Sequence, residues 1–129
     1  MKNLLKILLV SGILLFGVIS LNAKEIYLSQ QTAKDFTVNV KLYDDLKTGN
    51  NEFNVKILYK TKVLEGVNVN FKLYKPNGEV VEYKSNTVND KFNYVFNINL
   101  TDNGEYKYII SYRTMEGGVT RDSRGSFVF

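Results

Sequence analysis

From residue 36 onward, apolar and polar side chains alternate in run after run, and this period of two limits the fold more than any other feature of the chain. Phe36, Val38, Val40 and Leu42 alternate with Thr37, Asn39 and Lys41. Phe53, Val55, Ile57 and Tyr59 repeat the pattern over 52–59, and Val67, Val69, Phe71 and Leu73 over 67–74. Successive side chains of a strand point to opposite faces, so each run describes a strand with one dry side and one wet side. No stretch of helical length carries a 3.6-residue repeat.

Four more strands are expected. One covers 79–84, and another covers 91–100 with Phe92, Tyr94, Phe96, Ile98 and Leu100 inward. A further strand over 105–113 turns Tyr106, Tyr108, Ile110 and Tyr112 inward, and the last ends in Phe127 and Phe129. Lys75-Pro76-Asn77-Gly78 and Gly117-Gly118 supply breaks, since Pro presets φ and Asn-Gly tolerates positive φ. About seven short antiparallel strands in one domain give an all-β, two-sheet sandwich.

One motif narrows the sandwich to the immunoglobulin-like (Ig-like) type. Asp102-Asn103-Gly104-Glu105-Tyr106 has the D-x-G-x-Y form of a tyrosine corner, in which the phenol bonds back to the loop between sheets. Asp102, Gly104 and Tyr106 are therefore assigned structural roles. Tyr108 stands where antibody domains carry their second Cys, and Val55 or a neighbour stands at the first.

Residues 1–23 read as a signal peptide. Lys2 and Lys6 form a basic start, Ile7 to Leu21 is apolar, and Leu21-Asn22-Ala23 suits signal-peptidase cleavage. A comfortable membrane span takes roughly 20 apolar residues, so cleavage after Ala23 is favoured over an inner-membrane anchor formed by residues 4–21. Either way the domain is exported to the periplasm or beyond, and contact with a membrane is expected only through an uncleaved N-terminus. Residues 24–35 are weakly patterned, and either pair along a sheet edge or form a free leader to a domain at 36–129.

Composition bears on chemistry. Cleavage of the 129 residues after Ala23 leaves 106, with 15 of the 17 basic residues against 13 acidic ones, a net charge of +2. The basic residues are scattered, which argues against nucleic acid. The chain has no Cys and no His, so disulfides are excluded and nucleophilic catalysis of the Ser-His or Cys-His kind has no base. No catalytic residue and no cofactor is assigned. Met115, the one Met beyond the leader, is a weak candidate for a soft-metal ligand. Asp44, Asp45, Asn50, Asn51 and Glu52 surround Gly49, but their spacing departs from the EF-hand pattern and reads as a solvated hairpin loop.

Most of the aromatic residues sit on inward parity and read as core. Tyr74, Ile109 and Val128 sit on outward parity of three strands that adjoin in an Ig-like sandwich, and so form a candidate interaction face.

The stretch from Leu46 to Arg113 resembles the YtkA-like family of small exported Ig-like domains, and is also similar to the periplasmic part of FixH proteins. The resemblance rests on residues 49–55 opening one strand, Gly66-Val67-Asn68-Val69 opening the next, Lys75-Pro76, and the Gly104-Glu105-Tyr106 corner. It implies an Ig-like fold and an association with copper handling or oxidase assembly. Family members often carry Met or His near the third-strand turn; here that turn is Lys75-Pro76-Asn77-Gly78, so the resemblance transfers no metal ligand. The leading expectation is a non-enzymatic, exported module that binds another envelope protein. The alternatives are a periplasmic copper-handling or oxidase-assembly accessory and a small structural or adhesive subunit.

Overall fold

The structure, a computed structural model, describes residues 26–113 and 119–129. The leader at 1–23, its cleavage point, the anchor at 4–21, Met115 and Gly117-Gly118 lie outside the described residues. Nine strand segments occur among the described residues: β1 (Ile26–Ala33), β2 (Phe36–Leu42), β3 (Gly49–Tyr59), β4 (Lys62–Val63), β5 (Val69–Tyr74), β6 (Val80–Ser85), β7 (Tyr94–Leu100), β8 (Glu105–Arg113) and β9 (Thr120–Val128). They form two antiparallel sheets. Sheet A runs β1-β2-β3, with β7 and the short β4 both on the far side of β3; sheet B runs β6-β5-β8-β9.

This is an Ig-like arrangement. β3 and β7 take the B and E positions of one sheet, and β5, β8 and β9 take C, F and G of the other, with β6 beside β5 as C′. The alternation read from sequence becomes a strict in-and-out burial pattern along β2, β5 and β8. Of the two readings for residues 24–35, the edge pairing is found: Ile26 to Ala33 runs along β2, with a bulge between Tyr27 and Ser29. Lys34 and Asp35, at φ 50° and 70°, close that hairpin as a two-residue turn whose twist suits the strands.

One inward assignment fails. Phe92 does not belong to β7; it closes a turn at φ 64°, donates its N–H to Asn89 O at 3.0 Å, and is 47% exposed. The Asn89 carboxamide accepts the N–H groups of Lys91 and Asn93 at 3.0 Å each. That local bonding takes Phe92 out of the extended strand and starts β7 at Tyr94.

The core is aromatic and bridges the sheets. Phe71 of β5 meets Phe53 of β3 edge-on at 5.7 Å, Phe96 of β7 at 5.4 Å, and Tyr108 of β8 in a stack at 5.2 Å. Phe127 closes on Tyr106 at 5.1 Å and on Phe53 at 5.4 Å. Offset and edge-on pairs of this kind contribute about 0.5–1.5 kcal/mol each beyond their buried area.

The tyrosine corner forms as its motif requires. Tyr106 donates its phenol to the Asp102 carbonyl at 2.6 Å. Gly104, at φ 138°, lies so close to Pro76 that a Cβ would sit 2.9 Å from the ring's Cγ. Its backbone also exchanges hydrogen bonds of 2.8 and 2.9 Å with Phe129, so the β5–β6 turn, the corner and the C-terminal residue meet at one end of the sandwich.

Gly125 of β9 pairs with Tyr108, whose ring lies across it where any Cβ would stand. Gly125→Ala therefore forces the Tyr108 ring from its stack on Phe71. The expected loss is about 1–3 kcal/mol, which for a domain of this size lowers the thermal midpoint by roughly 5–20 °C. Thermal melts followed by near-ultraviolet circular dichroism check both the shift and the disturbed tyrosine packing.

Candidate functional site

Register decides what the outer face of sheet B presents. β5 pairs with β6 and β8, and β8 with β9, so outward residues line up in rows across four strands. One row is Val80, Tyr74, Lys107 and Ser126; the next is Glu82, Lys72, Ile109 and Arg124. Val128 stands opposite Glu105 in a third row. Tyr74, Ile109 and Val128 thus share one face but occupy three different rows. Ile109 is diagonal to Tyr74, whereas Val128 is separated from both along β8 by Lys107.

Val80 belongs with them. It stands directly opposite Tyr74 and is 44% exposed, while Val128 is 75% exposed. Lys72 lies over the Tyr74 ring, its Nζ 5.7 Å from the centroid, leaving an aliphatic stem along the same surface. Ser111 donates to Asp122 Oδ1 at 2.8 Å at the far end of the face. The result is an apolar diagonal, Val80 to Tyr74 to Ile109, set among lysines, an arginine and carboxylates.

The outer face of sheet A is different in kind. Asn54 lies on outward parity yet is 1% exposed, between Lys41 and Val95 in register, and neither atom of its carboxamide has a hydrogen-bond partner among the described residues. The Asn93 carboxamide is buried in the same condition. Only the strand register shows where these asparagines lie.

The loop between β2 and β3 is held by one asparagine. Asn51 accepts the Lys47 N–H at 2.9 Å and donates to the carbonyls of Lys47 and Gly49 at 2.7 and 2.8 Å. Asp44, Asp45, Asn50 and Glu52 are exposed around it, lining with Lys47 a shallow cleft of about 230 Å³. Among the described residues no three His, Cys, Asp or Glu side chains gather closely enough to hold a metal ion. A larger open cleft, about 550 Å³, is lined by Asn68, Asn70, Lys84, Ser85 and Asn86 at the edge of sheet B.

The family resemblance implies copper, and the donors present do not fit that ion. Copper(I) favours thiolate and thioether sulfur, and copper(II) favours imidazole. This chain has no Cys or His, and of its two Met residues one is the initiator.

A second tyrosine anchor went unread in the sequence. Tyr94 of β7 donates to Leu64 O at 2.8 Å and accepts the Val67 N–H at 3.2 Å, fastening the β4–β5 loop. Burial pushes its phenol above the ordinary value, opposed by the Val67 hydrogen bond. Burial likewise raises Tyr112, with Arg121 opposing.

A raised phenol favours the neutral form in the fold. Its contribution to stability is therefore complete below the unfolded value of about 10 and is lost as the pH climbs through the higher folded value. Urea unfolding from pH 7 to 11 is expected to show stability falling above about pH 10. Tyr94→Phe is expected to lose about 1 kcal/mol at neutral pH with the Leu64 bond, and then to fall less steeply on the alkaline side.

The sandwich is similar to two solved structures of FetP from uropathogenic Escherichia coli strain F11. One is a copper-bound variant, with a TM-score of 0.65 and 14% identity, covering 82% of this chain and 97% of that one. The other is the as-isolated protein, recombinantly expressed in the periplasm, with a TM-score of 0.64, 14% identity, and 82% and 96% covered. At that identity the likeness concerns the fold. No curated protein matches the sequence. The sequence profile described as YtkA-like matches residues 30–111, from within the edge strand β1 to within β8, and the chain belongs to the YtkA-like family.

Proposed function

We propose that this chain is an exported, non-enzymatic accessory module that acts by contact with another envelope protein, through the outer face of sheet B. The observation that carries the reading is the apolar diagonal there: exposed Val80 and half-buried Tyr74 face each other across β6 and β5, and half-buried Ile109 follows on β8, while Val128 stands apart beyond Lys107. Exposed apolar side chains rimmed by charge are a common form of contact surface. The aromatic core beneath keeps this face rigid, so little conformational freedom is lost on binding. Export is supported by the basic and apolar leader, and by the periplasmic expression of FetP, a protein of the same fold.

In intact cells, a photoreactive residue placed at Tyr74 or Ile109 is expected to crosslink to one discrete envelope protein. The same residue at Asn99, on the outer face of sheet A, is expected to give none. Equal crosslinking from both faces, or none from either, contradicts the assignment.

Copper handling is the second reading, favoured by the copper bound to the FetP variant. In this chain it requires a partner to complete the ligand set around Met115, because the chain's own donors do not suffice. Titration of the purified chain with Cu(I) against a competing chelator is expected to show no tight stoichiometric site. Tight one-to-one binding would reverse the order of the two readings.

A further inference from the structure

We propose that two copies of this chain pair edge to edge through β6, joining their B sheets across a two-fold axis. Among the described residues β6 ends sheet B, with β5 on one side only. On both sides of the sandwich the end strands of the two sheets approach each other without pairing, β1 with β9 and β6 with β7, so what β6 leaves open is its hydrogen-bonding edge.

The phase of the free edge is fixed by one bond. Lys75 donates its N–H to Glu79 O at 2.8 Å, so Glu79 faces Lys75 as a hydrogen-bonded pair. Hydrogen-bonded and non-hydrogen-bonded pairs alternate along an antiparallel ladder. Val81, Tyr83 and Ser85 therefore turn their backbone groups toward β5, and Val80, Glu82 and Lys84 turn theirs toward the open edge.

A two-fold axis normal to the sheet keeps inner face with inner face, and it must pass through a residue-on-residue pair. Centred on Glu82 it sets carboxylate against carboxylate; centred on Lys84, ammonium against ammonium. Centred on Tyr83 it sets Glu82 opposite Lys84 of the second copy, and Lys84 opposite the second copy's Glu82. These two residues are also the ones whose N–H and C=O face the edge, so the charge pairs coincide with the hydrogen-bonded pairs. Opposed charges on facing strands stabilise, and like charges destabilise.

The inner side agrees. Tyr83 packs edge-on against Phe71 at 6.4 Å and is half-buried. In this register it meets its own equivalent as a non-hydrogen-bonded pair, the closer of the two kinds. Charges on an edge strand normally discourage stray pairing. Here they are of opposite sign and symmetric about Tyr83, so they disfavour the registers centred on Glu82 and Lys84 to either side and admit an antiparallel copy of the same strand. The pairing is independent of the contact proposed for the Tyr74 and Ile109 face.

Sedimentation equilibrium of the chain, purified after expression of its full sequence, tests this from micromolar to millimolar concentration. The native chain is expected to show a monomer–dimer equilibrium. Glu82→Lys and Lys84→Glu each oppose like charges twice about the axis, and each is expected to weaken the dimer roughly tenfold or more. The double reversal, Glu82→Lys with Lys84→Glu, is expected to restore it to within about threefold. Both sites lie on an exposed strand, so melting temperatures within a few degrees of native will show that the variants fold. A monomer at every concentration, single reversals that dimerise like the native chain, or a double reversal that stays weak would each overturn the proposal.

Discussion

Packing of aromatic rings between the two sheets is the contact on which the rest of this structure depends. A sandwich of this size without a disulfide must close by burial alone, and here Phe71 sits at the centre, touching rings from both sheets. Antibody-type domains place a disulfide between their B and F strands. In this chain Tyr108 takes the F-strand position and stacks on Phe71, which in turn meets Phe53 on β3. A chain of ring contacts thus does what a covalent bond does elsewhere. Its cost is sensitivity to shape, because rings interlock only at fixed offsets.

Rigidity of that kind leaves function to the surface. Two core tyrosines also act as fasteners through their phenols: Tyr106 closes the corner on Asp102, and Tyr94 fixes the loop before β5 through Leu64 and Val67. Between these ends the outer face of sheet B presents its side chains in the rows set by strand register.

Much of this was legible in the sequence because it is local. Strands β2, β5 and β8 alternate cleanly, and D-x-G-x-Y is a contiguous motif whose phenol reaches only four residues back. Edge strand β1 was harder, since Tyr27-Leu28-Ser29-Gln30 alternates poorly and its turn uses Lys34-Asp35 where Asn-Gly is the usual signal. Phe92 was misread because strand parity continues through it while the Asn89 turn does not. On the candidate face, parity picked out Tyr74, Ile109 and Val128, but only the register shows that Lys107 stands between them and that Val80 adjoins Tyr74. Val80 is hidden in sequence by Val81 beside it, which blurs the alternation of β6.

Native-state hydrogen exchange is the most direct test of the claim that one aromatic cluster fastens the two sheets. If it does, the slowest amides of β3 and β7 in sheet A and of β5 and β8 in sheet B exchange with a single free energy equal to that of global unfolding. Separate plateaus for the two sheets, with one opening while the other stays closed, would contradict the account.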